Sequence, residues 1–202
     1  MVERISKAVT NAMIERHAID PAEREIYEYG FQITFSSVIS FISAMAIGLL
    51  FGRPLAMLLF LICFASMRMY SGGYHARSYL LCFFELLGLS VVVMLTTRGV
   101  EQLLIEVIKR GSISLMIAST IVVFALAPVD HENAPLSSQE LHRYKRIVRR
   151  IFIAHLALLV LFVIFPVPVC MPWAIVSAAV SSSIMVIGGY WHRRRKEVYL
   201  HG

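Results

Sequence analysis

The sequence predicts an all-α, polytopic membrane protein, and three observations predict it. The chain of 202 residues is 58% hydrophobic and only 16% charged, with a mean hydropathy of +0.71. A soluble domain of that length has far more surface to cover with polar groups. Apolar runs long enough to approach the roughly 20 residues of a transmembrane helix recur along it, and six of them fill most of its length. Lysine and arginine gather between alternate runs rather than evenly. The expected architecture is one membrane domain over residues 1–202, with about six spans and an N-terminal amphipathic interfacial helix.

The first 20 residues place Ile5, Val9, Ala12 and Met13 on one helical face, with Arg4, Lys7, Glu15 and Arg16 largely elsewhere. That spacing suits a short helix lying on a membrane surface. Acidic residues and the lack of an apolar core run argue against a cleaved signal peptide. Asp20-Pro21 then supplies an N-cap and a first-turn proline. The first span follows over about 29–51 and ends at Gly52-Arg53-Pro54. A second runs over about 55–69, short unless the polar turn after it dips into the bilayer, and a third over 79–97. Residues 100–110 are amphipathic and fit either an interface or an extension of a span. The remaining spans are expected at 112–129, 151–169 and 173–191, with a polar segment from Asp130 to Arg150 and a basic tail.

The side of the membrane follows from charge. With both termini inside, 15 of the 19 lysines and arginines lie in inner segments, so the positive-inside rule places N- and C-termini in the cytoplasm. The net charge of +6 is mostly this asymmetry, which removes it as an argument for nucleic-acid binding. Three cysteines, Cys63, Cys82 and Cys170, are too few and scattered for a disulfide framework or zinc cluster. No metal or organic cofactor is implied.

Chemistry concentrates in Arg68–Cys82, "RMYSGGYHARSYLLC", a turn on the cytoplasmic side by this topology. A thiolate is a strong nucleophile, and a nearby imidazole can make one by taking the proton. His75 precedes Cys82 by seven residues, about 10 Å along one continuous helix and too far for a hydrogen bond. The pair works only if His75 sits in a turn folding back over the helix start, a freedom Gly72-Gly73 supplies. The plain alternatives are a packing cysteine, a solvated histidine and a sharp turn. Cys63 and Cys170 read as packing residues, and His155, His192 and His201 as solvated polar groups. Glu85, three residues after Cys82, shares nearly its helix face. A carboxylate within a span is a functional candidate: it can orient His75, receive a cationic group of a substrate, or simply pair with Arg68. Ser78 and the backbone N–H groups opening the third span are candidate oxyanion donors.

An arginine, a Gly-Gly-x-His-Ala turn and a cysteine seven residues after the histidine, all between spans, resemble the accessory gene regulator B (AgrB) family. The segment "APVDHENAPLSSQELHRYKR", Ala127–Arg146, is similar to that family's segment after the fourth span, except that Ala134 stands where lysine is expected. The resemblance implies a membrane cysteine endopeptidase of the bacterial cell membrane that processes a quorum-sensing propeptide (AgrD-like). Cys82 would be its nucleophile and His75 its general base. A Cys82 thioester, after loss of the propeptide's tail, would pass to a substrate cysteine or serine as a thiolactone or lactone. Arg143, Lys145, Arg146, Arg149 and Arg150 either enforce topology and contact anionic lipid or also hold the propeptide's acidic tail. The bilayer is the other expected partner, and a homo-oligomer such as a dimer is left open. Two rival readings are a small transporter or channel lined by Glu85, Arg68 and His75, and an acyltransferase using Cys82 and His75.

Overall fold

A computed structural model describes residues 2–72, 79–102, 105–129 and 137–201. Helix α1 (Val2–Glu15) is followed by a 3-10 turn (Pro21–Glu23) and by α2 (Arg24–Leu50), α3 (Pro54–Ser71), α4 (Tyr79–Val100), α5 (Ile105–Leu126), α6 (Ser138–Ile164) and α7 (Cys170–His201). Six of these, α2 to α7, are long and apolar enough to cross a membrane. The chain is a multi-pass helical membrane protein, and no strand occurs among the described residues.

The helix ends follow from local chemistry. Asp20 Oδ1 accepts the Ala22 N–H at 2.8 Å, capping the turn that leads into α2. At the far end of α2, Gly52 adopts φ +70°, and the Arg53 N–H reaches back to Gly48 O at 2.8 Å. That is a left-handed glycine stop satisfying late carbonyls, and Pro54 opens α3 directly after it. Glu101 and Gln102 form a turn after α4, so Ile105–Arg110 belongs to α5 and not to a separate interfacial stretch. A capping box between Ser137 and Glu140 starts α6 well before residue 151. The basic run Arg143–Arg150 is therefore the first part of the α6 helix. Two prolines, Pro166 and Pro168, follow its end.

α7 is the central helix: its apolar window is 61% buried, against 11% for α2. Ala174, Ala178, Ala179, Ser182 and Ser183 are all buried on it, and such small residues let neighbouring backbones approach. It packs most extensively on α3 and α5. Ser183 Oγ lies 2.8 Å from Ala179 O and 3.2 Å from Ser119 O on α5. Large side chains fill the space around that smooth face, with Met57, Phe60 and Met67 of α3, Met116 of α5 and Phe152 of α6 at zero exposure. Outward-facing Ile42, Leu50, Ile62, Phe84, Ile121 and Ile184 stay exposed, as a lipid-facing surface requires. His155 is half-buried midway along α6, away from the helix ends where a solvated histidine was expected.

The two ends of the bundle are tied differently. At one end Arg53 meets Glu101 through Nε–Oε1 at 2.8 Å and Nη2–Oε2 at 2.9 Å, and the carboxylate raises the Arg53 pKa. Arg98 lies over the Phe51 ring at 4.7 Å, and Trp173 Nε1 donates to Thr96 Oγ1 at 3.2 Å. At the other end α1 packs against α2, with Ser6 and Thr10 fully buried while Ile5 and Ala12 remain exposed. Arg24 Nη2 donates to Asn11 Oδ1 at 2.8 Å across that contact. The small polar face of α1 thus meets the protein, and part of its apolar face remains exposed.

Candidate functional site

α3 has 18 residues, about 27 Å of helix, just short of the ~30 Å hydrocarbon core. A crossing by this helix would bring its last residues to a membrane boundary. Gly72 ends it with φ +64° and ψ −144°, a backbone region that only glycine occupies comfortably. The Arg68 guanidinium on the preceding turn donates to the Gly72 carbonyl.

Gly72 is held from across the bundle as well. It forms an isolated parallel bridge with Val129, whose N–H donates to Ser71 O at 3.0 Å. A Cβ on Gly72 would stand 2.1 Å from the Val129 carbonyl oxygen. The exit of α5 is thereby pinned to the exit of α3. A glycine was flagged here by sequence for its freedom to turn, but its second role, close approach to Val129, had no local signal.

Cys82 lies one turn inside α4 and is exposed, whereas Cys63 and Cys170 are buried. Glu85 follows it, half-buried. Both are in electrostatic reach of Arg68 on α3. The structure thus brings Arg68, Cys82 and Glu85 to one neighbourhood beside the pinned Gly72. Gly73, His75 and Ser78 lie outside the described residues, as do residues 130–136 of the segment similar to the family pattern.

The basic segment reaches the same end of the bundle. Tyr70 of α3 and Tyr144 of α6 meet edge-to-face with ring centroids 5.6 Å apart. Around that contact Arg143, Lys145, Arg146, Arg149 and Arg150 are exposed. Arg149 also lies over the Phe124 ring at 5.5 Å, so part of its role is packing against α5. Tyr70 and Tyr144 were not singled out by sequence, since their pairing depends on how α3 and α6 approach.

Fold and site together define a class: a helical multi-pass membrane protein with an exposed thiol, an arginine and a carboxylate gathered at one end of the bundle. The profile of the accessory gene regulator B (AgrB) family matches residues 6–188, and the chain belongs to that family. An AgrB-like protein of Clostridium perfringens strain SM101 is 31% identical over 144 residues, 69% of this chain and 66% of the relative. AgrB-like protein 2 of Clostridium perfringens strain 13 is 29% identical over the same coverage. The matched stretch thus spans slightly less than two thirds of these relatives. No solved structure matches.

Proposed function

We propose that this protein is a membrane cysteine endopeptidase that processes an AgrD-like quorum-sensing propeptide, with its reactive turn on the cytoplasmic side. The observation that carries the reading is the exposed Cys82 thiol one turn inside α4, in a chain that belongs to the AgrB family. In this reading His75 takes the Cys82 proton, and Sγ attacks the carbonyl at the C-terminal edge of the future signal. Collapse of the tetrahedral intermediate breaks the C–N bond. The amine of the tail takes the proton from His75 and leaves. A thioester on Cys82 remains.

A side-chain thiol or hydroxyl of the same propeptide then attacks the thioester carbonyl, gives its proton to His75, and restores the Cys82 thiol as the ring closes. Tethering gives that nucleophile a high effective concentration, and a site at the membrane boundary limits competing water. The exposed basic residues at the start of α6 would hold the acidic tail beside Cys82. A positive-inside arrangement of the 19 lysines and arginines supports the cytoplasmic placement. Reconstitution in liposomes with a propeptide tests the reading. Cys82→Ala and His75→Ala should each abolish release of the tail while membrane insertion persists. Tail release by Cys82→Ala would overturn the cysteine mechanism.

A further inference from the structure

Between α1, α2 and α4 lies an apolar groove of about 280 Å3, lined by Val2, Glu3, Ser36, Ile39, Tyr79, Leu80 and Phe83. We propose that this groove receives the large apolar side chain of the propeptide residue on the acyl side of the scissile bond. The proposal rests on the endopeptidase reading above and adds to it where the substrate's specificity is set.

Position is the first argument. Three of the lining residues, Tyr79, Leu80 and Phe83, come from the same helical turn as Cys82. At about 100° per residue, they cover one sector of α4. Cys82 lies about 60° past Tyr79 on its other side, and Glu85 about 60° further still. Arg68 of α3 is in electrostatic reach of both Cys82 and Glu85. Around α4 the order is therefore groove, thiol, then Glu85, with Arg68 of α3 near the last two. Beyond α3 comes the Tyr70–Tyr144 contact and the exposed basic start of α6. A peptide with its carbonyl at Sγ has one side directed to the groove and the other to the basic segment. An acidic tail belongs on the basic side, which leaves the acyl side for the groove.

Size and polarity agree. A volume of about 280 Å3 is at the lower end of the ~300–1,000 Å3 of small-molecule pockets, so it accommodates one large side chain rather than a folded segment. The walls are aliphatic and aromatic except for Ser36 and Glu3, and the Glu3 carboxylate is occupied by Lys7 at 2.9 Å. Each extended residue advances about 3.4 Å, and the groove wall starts within one helical turn of Cys82. The residue joined to the scissile carbonyl, or its neighbour, can therefore reach it without strain.

The test uses the full-length protein in liposomes and synthetic propeptides with leucine, tryptophan, alanine or aspartate at the residue bearing the scissile carbonyl. Wild type should prefer leucine over alanine, with aspartate poorest. Ser36→Phe fills the groove and should lower the leucine-to-alanine ratio of kcat/KM by about tenfold or more, the scale of discrimination in apolar pockets. Phe83→Ala enlarges it and should move the ratio towards tryptophan-bearing peptides over leucine. Ratios unchanged in both variants, with cleavage retained, would overturn the subsite and leave the groove to lipid acyl chains. Absence of cleavage by wild type of every peptide would instead overturn the endopeptidase reading and the subsite with it.

Discussion

Val129 donates its backbone N–H to Ser71 O at 3.0 Å, and in doing so seats its carbonyl against the Cα of Gly72. Two chain exits that are 57 residues apart in sequence become one fixed point ahead of α4 and Cys82. Local hydrogen bonding by Arg68 fixes the same point from the other side.

Gly72→Ala should therefore damage both stability and turnover. The unfavourable backbone alone costs about 1–3 kcal/mol, which corresponds to roughly 2–12 °C in melting temperature for a chain of this size. The close contact with Val129 adds to it. Thermal unfolding in detergent measures the first effect and propeptide cleavage the second. A variant with wild-type melting and turnover would show that the bridge is dispensable.

Arg68 and Glu85 lie near Cys82 with opposite charges, so their removal should act in opposite directions on its reactivity. A cation beside a thiol favours the nucleophilic thiolate and an anion disfavours it. Arg68→Gln should slow alkylation of Cys82 by iodoacetamide several-fold, and Glu85→Gln should hasten it. Rates are read on a protein in which Cys63 and Cys170 are serine. Changes of the same sign in both would mean that packing, not charge, governs the thiol.

The exposed basic residues of α6 are expected to act together. A single surface ion pair contributes little, about 0–1 kcal/mol, so one substitution should be nearly silent. Replacing Arg143, Lys145 and Arg146 jointly by glutamine should raise KM for a propeptide with an acidic tail and weaken its salt dependence. A neutral-tailed propeptide should be far less affected. Equal losses for both peptides would assign the segment to lipid contact or folding.

Topology is testable at positions that the fold leaves accessible. Single cysteines at Ser138 or Gln139 should resist membrane-impermeant thiol reagents in intact cells, and cysteines at Gly99 or Gln102 should react. All four positions are exposed, whereas Ser71 and Pro172, superficially equivalent in sequence, are buried. Labelling of Ser138 without permeabilisation would put the reactive end outside and remove the propeptide model.

What the sequence determined by itself was the membrane class, the number of spanning helices and the placement of Cys82 and Glu85 one turn apart on a helix. Each is written locally: apolar runs of spanning length, glycine and proline at helix stops, a cysteine and a glutamate one turn apart on α4. Helix limits were less legible where charge masks helix propensity. The basic run Arg143–Arg150 reads as a polar connection, but the Ser137–Glu140 capping box makes it helix. Only the tertiary structure decided which helix is central, that Val129 holds Gly72, that Tyr144 meets Tyr70, and that α1 closes a groove beside Cys82. Those relations join residues tens of positions apart through packing of small faces against large side chains. No short window of sequence carries that information, because the complementarity exists only once the helices have been brought together.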